Sequence, residues 1–362
     1  MHDVIFVGGG VAGCYTASLL PKDLDIMVLE KHKKVRPKDS GIVSGTFSSF
    51  FDEKGLVAAK ASEIECLSPS GKKFSLRGHD SFISILRREA FTRRLRRDAK
   101  KKADLRFEIA EEVVFRKNSV LVVTNRGEHE AKMVVGCDGA RSLVRSSMGI
   151  EQPRLAAGLM VKTNKNLGEK ISVFFNKHYS PDYFSWIIPQ SKEYGLITEN
   201  RPKEYLDYFA AKQGLPAGKL YAYMLPMGTT RSFSNRALLI GDACGQNKPL
   251  TGGGIIFSLR ASRVAAGMIK DACEAEIFHS MFLGHYERLW KAELFSEIHN
   301  QLLARKIYRR LANDEIDKLF EDFGPCLSSL DNFDYDMFSN VWTELPKIKL
   351  LKFVLSKSRY LI

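Results

Sequence analysis

The chain has no run approaching eighteen uninterrupted apolar residues, which argues against a membrane-spanning helix. The one apolar stretch near its start reads as a core strand, so no secretory leader is expected. Six cysteines, at positions 14, 66, 137, 244, 273 and 326, are scattered with no C-x-x-C pair. That argues against a disulfide frame and for reduced, mostly buried thiols in a cytoplasmic protein. The eight histidines show no ligand spacing, and no metal site is expected. Internal repeats, low-complexity linkers and base-reading motifs are missing too, so nucleic acid is not an expected partner. The remaining composition, 44% hydrophobic and 27% charged over 362 residues, is that of a globular protein of more than one domain.

Acidic residues are also in short supply, 42 against 55 Lys and Arg, for a net charge of +13. The densest basic source is Arg87 to Lys102. A solvated helix face is the commonest meaning of such a run. An approach to anionic lipid head groups is the functional alternative, at around 1 kcal/mol per basic residue close to the surface. The segment Ile348 to Lys357, apolar with regular lysines, either lies in a membrane interface or docks as a last core helix.

Glycine is where the sequence becomes specific. Val4-Ile5-Phe6-Val7 leads into Gly8-Gly9-Gly10-Val11-Ala12-Gly13 and a helical pattern from Cys14 to Leu20. This is G-x-G-x-x-G between a strand and a helix: Gly8 for the turn, Gly10 for approach of a pyrophosphate, Gly13 for helix–strand packing. A second strand, Asp25 to Leu29, delivers Glu30 about 20 residues on, where a ribose hydroxyl acceptor belongs. Val134 to Val144 repeats the pattern of strand, Asp138-Gly139 and helix start. Ala237 to Ile240 then runs into Gly241-Asp242-Ala243-Cys244-Gly245, followed by Gly252-Gly253-Gly254-Ile255 opening a helix. An acid at a strand end and glycine backbone at a helix start suit cofactor hydroxyls, a flat ring or a phosphate.

With these three signatures in this order, residues 1–275 resemble the FAD-dependent oxidoreductases of the para-hydroxybenzoate hydroxylase-like fold. The resemblance implies an α/β (α+β) chain with three parts. A discontinuous, doubly wound, Rossmann-like FAD-binding domain takes 1–60, 80–155 and 232–275. An antiparallel-sheet substrate domain takes 61–79 and 156–231, and a C-terminal helical region takes 276–362. It also implies that Gly8, Gly10, Ala12, Gly13, Glu30, Gly41, Val113 and Asp138 serve the cofactor. Asp242 would hold its ribityl and pyrophosphate region, and Gly253, Gly254 and Ile255 would lie against the flavin. Arg88, from an R-x-x-F pattern ending at Phe91, would reach the cofactor as well, unless it belongs simply to a basic helix.

Pro249-Leu250-Thr251-Gly252-Gly253-Gly254-Ile255 resembles the geranylgeranyl reductase family, including archaeal digeranylgeranylglycerophospholipid reductases, which saturate isoprenoid double bonds. Pro181-Asp182-Tyr183-Phe184-Ser185-Trp186-Ile187-Ile188-Pro189 is similar to that family's P-x-x-Y-x-W-x-F-P element. Tyr183, Phe184, Trp186, Ile188 and Pro189 are therefore candidate substrate contacts, a rigid wall for a prenyl chain. An amphipathic strand alternating Phe184, Trp186 and Ile188 with Tyr183, Ser185 and Ile187 accounts for the same residues. Where family members carry a Cys after the second strand, this chain has Asp39, a candidate proton donor if burial raises its pKa, or else a turn cap.

The implied reaction is hydride delivery from reduced flavin to one alkene carbon and protonation of the other. The lipid substrate carries the isoprenoid chain, and the external reductant, NAD(P)H or another donor, is left open by a single dinucleotide fingerprint. The location implied is cytoplasmic, peripheral on the inner face of the cell membrane. Two alternatives stay open: a flavin monooxygenase or halogenase, through the similarity of Phe184 to Pro189 to W-x-W-x-I-P, and a prenyl-binding escort of the Rab GDP-dissociation-inhibitor type.

Overall fold

The computed structural model describes residues 1–35, 40–78, 82–330, 334–337, 341 and 345–346. Asp39 and the segment 348–357 lie outside the described residues. In chain order, β1 (His2–Val7), α1 (Val11–Leu19), β2 (Ile26–Leu29), β3 (Ile42–Ser44), β4 (Val57–Ala61), β5 (Glu63–Leu67), β6 (Lys73–Arg77) and β7 (Ile83–Leu86) come first. Then follow α2 (Arg88–Ala99), β8 (Asp104–Arg106), β9 (Ala110–Phe115), β10 (Val120–Thr124), β11 (Gly127–Gly136), α3 (Leu143–Ser147), β12 (Arg154–Lys162) and β13 (Ile171–Phe174). The rest are β14 (Ser185–Ile188), β15 (Glu193–Thr198), α4 (Pro202–Lys212), β16 (Lys219–Met227), β17 (Phe233–Ser234), β18 (Ala237–Leu239), α5 (Ile255–Ala275), α6 (Ser280–Arg310) and α7 (Asn313–Ser328).

The first sheet runs β17-β18-β11-β1-β2-β8, parallel from β18 to β8. Its central strands are apolar throughout because both faces are covered. Val4, Phe6, Val28 and Val135 point to the side packed by α1, α2, α5 and the first half of α6. Ile5, Val7, Met27 and Val134 point to the other. That second face is closed by the antiparallel β9-β10-β11 meander and α3 rather than by a second helical layer.

The second sheet, β16-β12-β15-β14-β13-β5-β6, is antiparallel except for the parallel pair β13–β5. One face carries Ile64, Met160, Trp186, Ile188 and Leu225 and packs Phe323 of α7. The opposite face carries Leu159, Phe174, Ile187 and Leu196 against Leu206 and Phe209 of α4. A third, three-stranded sheet, β3-β7-β4, was not foreseen as a unit. The helical C-terminal region is present as α6 and α7, and α6 buries Tyr286, Trp290, Leu294, Ile298 and Arg305 at helical spacing. Leu289, next to Trp290, faces out and is 57% exposed. No described helix is long and apolar enough to cross a membrane.

Candidate cofactor and substrate site

Where β1 meets α1, the glycines are fixed by contact. Gly8 has φ +107°, and a Cβ there would lie 2.3 Å from the Cys137 carbonyl oxygen. A Cβ on Gly13 would lie 2.0 Å from the Gly8 carbonyl oxygen, so the helix start is pressed directly onto the turn. Gly10 differs: a Cβ there meets nothing within 4 Å, which leaves open space at the N-terminus of α1 where a phosphate can meet free N–H groups. Ala12 is buried behind it, 3.4 Å from the position a Gly241 Cβ would take.

Glu30, at the end of β2, accepts from Gly9 N at 3.0 Å and from His32 N at 2.8 Å, with the Arg96 guanidinium 3.8 Å away. Carboxylate oxygens have lone pairs left after these bonds, so the tie to the glycine turn is compatible with accepting a ribose hydroxyl. Asp138 plays a visible structural part. Its Oδ2 accepts from Leu143 N (2.6 Å) and Val144 N (3.2 Å), capping α3, while its buried Oδ1 has no partner among the described residues. Burial holds this carboxyl above the usual carboxylate range despite hydrogen bonds from Ser142 and the helix N–H groups.

Arg145, in the short helix α3 that follows, is fully buried. Its guanidinium donates to Ala243 O (2.9 Å), Ala140 O (3.0 Å) and Gln152 Oε1 (3.2 Å), tying the Asp138 turn to the Asp242 turn. Asp242 sits in a single 3₁₀ turn after β18, its Oδ1 3.4 Å from where a Gly254 Cβ would be, against the start of α5. Gln246 closes this turn by accepting from Gly241 N at 2.8 Å and donating to the buried Tyr286 hydroxyl at 2.9 Å.

The glycine loop before α5 is a closed ring, with Lys248 N donating to Gly253 O and Gly252 N donating to Lys248 O, both at 2.8 Å. The Lys248 stem fills the space a Gly253 side chain would need, at 2.7 Å. Its ammonium is buried, 2.8 Å from Asp336 Oδ1 and 3.8 Å from the Tyr335 ring centre. Ser44 Oγ donates to the other Asp336 oxygen. These three groups escaped the sequence reading, since nothing local links positions 44, 248 and 336. Gly41 and Arg88 are brought together, the Arg88 Cδ lying 2.6 Å from where a Gly41 Cβ would be. Val113 lies in β9 opposite Val122, its side chain in the core of the second face.

The loop and the aromatic wall meet. A Gly252 Cβ would lie 2.8 Å from Ile197 and 3.3 Å from Leu225, members of the apolar cluster that contains Tyr183, Trp186 and Ile188. Phe184 packs on the same cluster, with its ring 6.2 Å from that of Trp186. The alternation expected from the sequence therefore holds for Phe184, Trp186 and Ile188 against Ile187 and fails at Tyr183. Tyr183 precedes the strand and turns to the Trp186 side, where its ring lies 3.7 Å under the Arg305 guanidinium and its hydroxyl donates to the Met227 sulfur. Pro189 opens a 3₁₀ turn after the strand and is not part of the cluster. The buried Trp186 Nε1 has no hydrogen-bond partner among the described residues. Its ring sits where Gly195 leaves room, 2.6 Å from a Cβ there. A Cβ there would also lie 2.3 Å from the Leu159 carbonyl oxygen of the neighbouring β12. Gly195→Ala is therefore expected to strain the β12–β15 pairing as well as displace the ring, shifting tryptophan fluorescence and costing at least about 1–3 kcal/mol in chemical denaturation; an unchanged spectrum and an unchanged denaturation midpoint would count against this packing.

None of the six cysteines forms a disulfide among the described residues. Burial pushes the Cys14 thiol up to about 12 and those of Cys137 and Cys244 well above their ordinary value.

Residues 1–165 match the family described as FAD binding domain. Together with the glycine cradles, this makes the chain an FAD-dependent oxidoreductase. Within that class it is similar to proteins named as geranylgeranyl reductases. It is 28% identical over 365 residues to digeranylgeranylglycerophospholipid reductase 2 of Methanothermobacter thermautotrophicus, covering 91% of this chain and 94% of that one. A geranylgeranyl bacteriochlorophyll reductase-like protein from Thermoplasma acidophilum superposes with a TM-score of 0.84 at 20% identity, covering 98% of both chains. The flavin-dependent brominase Bmp2 shares the fold at a TM-score of 0.66 and 16% identity, covering 95% of this chain and 98% of its own.

Proposed function

We propose that the protein saturates C=C bonds of geranylgeranyl-type isoprenoid chains on membrane-lipid precursors. The observation that carries the reading is the junction just described, where the glycine loop beside Asp242 abuts the apolar face bearing Tyr183, Trp186 and Ile188. It is supported by relatives named for digeranylgeranylglycerophospholipid reduction. The proposed division is that the sheet of β1, β2, β8, β11 and β18 with its helices holds FAD, and the β12–β16 sheet holds the lipid tail.

Bound FAD supplies the two-electron reduction of the alkene. The chain's own residues do the rest. Gly8, Gly10 and Gly13 with the α1 N–H groups receive the pyrophosphate, Glu30 the ribose, and Asp242 with Gly253, Gly254 and Ile255 the ribityl and ring portion. Arg88 and the backbone at Gly41 and Val113 complete the cofactor set. Trp186, Ile188, Phe184 and Tyr183 align the tail and exclude water, which matters because an unactivated alkene is a poor hydride acceptor. Asp39 is the proposed source of the second hydrogen's proton. The excess of basic residues supports peripheral contact with an anionic membrane face on the cytoplasmic side.

The test is anaerobic. FAD-loaded protein reduced with dithionite is mixed with a geranylgeranyl lipid, following flavin absorbance and product mass. Reoxidation with a gain of two hydrogens per bond is expected, slowed in Asp39→Asn. Flavin that stays reduced until oxygen enters would sink the reductase reading and move oxygen- and halide-dependent chemistry forward.

A further inference from the structure

The proposed reaction makes no use of a cleft of about 630 Å³ that opens between residues 33–35 and the outer side of α2. Six cationic side chains line it, Lys33, Lys34, Arg93, Arg96, Arg97 and Lys100, against one acid, Glu89. The acid is taken by Arg93 at 3.2 Å. Arg97 has only Asp98 at 4.0 Å, and Lys33, Lys34 and Lys100 have no carboxylate partner among the described residues. Like charges gathered in a concavity repel one another, so the arrangement favours a multivalent anion.

The position of the cleft is fixed. Arg96 donates to His32 O (2.9 Å) and Lys33 O (2.8 Å) and stands 3.8 Å from Glu30, joining the cleft to the segment that carries the ribose acceptor. The apolar part of the lining is Val35, Leu105 and Phe107, and the Phe107 ring is approached by Arg96 at 5.4 Å and Lys100 at 6.0 Å. Lys33, Lys34, Arg93, Arg97 and Lys100 are exposed around the opening while the Arg96 side chain is 12% exposed, so the charge is presented around a concavity rather than on a plane. The volume suits a small molecule. An aromatic ring beside basic heads suits a base or sugar followed by phosphate.

We infer that this cleft binds the phosphomonoester of a soluble nucleotide, of the kind carried by a phosphorylated nicotinamide dinucleotide, next to and separate from FAD. A phosphomonoester brings close to two negative charges and three acceptor oxygens, which matches Lys33, Lys34, Arg97 and Lys100. The inference rests on the FAD reading for its surroundings but not on prenyl reduction, and its test therefore measures binding.

The experiment titrates adenosine 2′,5′-bisphosphate into FAD-loaded protein by calorimetry, with adenosine as the uncharged control and vesicles containing phosphatidic acid as a second arm. Flavin absorbance is recorded throughout. The bisphosphate is expected to bind with FAD in place, to outcompete adenosine, and to weaken at least tenfold in Lys33→Gln/Lys34→Gln/Lys100→Gln and with added salt. Release of FAD by the bisphosphate would make the cleft part of the FAD site and overturn the inference. Equal binding to the variant, no binding at all, or lysine-dependent binding of the vesicles alone would overturn it too. A variant that no longer retains FAD would be replaced by Lys100→Gln alone, for which at least a threefold weakening is expected and unchanged binding counts against the inference.

Discussion

Gly13→Ala is expected to yield protein that is destabilised and carries no FAD, while Gly10→Ala yields protein that folds normally and binds FAD weakly. The two glycines belong to one motif and differ in what surrounds them. A methyl on Gly13 would stand 2.0 Å from the Gly8 carbonyl oxygen, a backbone atom that cannot rotate away, so α1 must lift from β1. Overpacking of this kind costs about 1–3 kcal/mol and more against backbone. Gly10 has φ −83°, which alanine adopts, and open space at its Cβ position. Its substitution leaves the apoprotein unstrained and places a methyl where the pyrophosphate would come closest. An affinity loss of tenfold or more, about 1.4 kcal/mol, is expected. Thermal denaturation of the apoproteins and FAD titration by flavin fluorescence separate the two effects. Full FAD affinity in Gly10→Ala would show that the phosphates do not approach there.

This contrast also shows what the sequence can carry. G-x-G-x-x-G between a strand and a helix is a local pattern whose geometry follows from bond lengths and sterics, so the turn, α1 and Glu30 were readable from thirty residues. Trp186 and Ile188 were readable as one face because a strand alternates with period two. Tyr183 was not, because it lies before β14, and its orientation is set by Arg305, more than a hundred residues away on α6. Arg145 reads as a surface cation until the Ala243 and Ala140 carbonyls that enclose it are known. The three-stranded sheet β3-β7-β4 was missed since it assembles short segments separated by loops, with a register shift between Val57 and Ala59. Buried polar partners pair across the fold rather than along the chain, and no spacing rule finds them.

The Lys248–Asp336 pair is the extreme case, and substitution there is expected to cost as much as any in the molecule. Asp336→Asn leaves a buried ammonium facing a neutral amide, next to the glycine loop whose shape the Lys248 stem helps to set. Breaking a buried pair from one side costs about 3–5 kcal/mol, because the remaining charge is stranded, while replacing both partners with apolar groups is often near neutral. Asp336→Asn should therefore lower the denaturation midpoint sharply, and Lys248→Met/Asp336→Leu should recover most of the loss. Tyr335, Val341 and Leu345 pack on the Trp186 cluster, so the single variant should also become protease-sensitive near residue 336 before it unfolds globally. The sign with pH follows from the carboxyl. Burial raises its pKa, but the Lys248 charge with hydrogen bonds from Lys248 and Ser44 outweighs this and leaves it below the ordinary 3.8. The stabilisation is complete above the unfolded carboxyl's pKa and disappears as pH falls through the lower folded value, so at neutral pH it is fully present and stability there should not vary with pH through this group. A double variant as unstable as Asp336→Asn would mean that the ion pair itself, rather than the burden of one stranded charge, holds the C-terminal segment on the glycine loop.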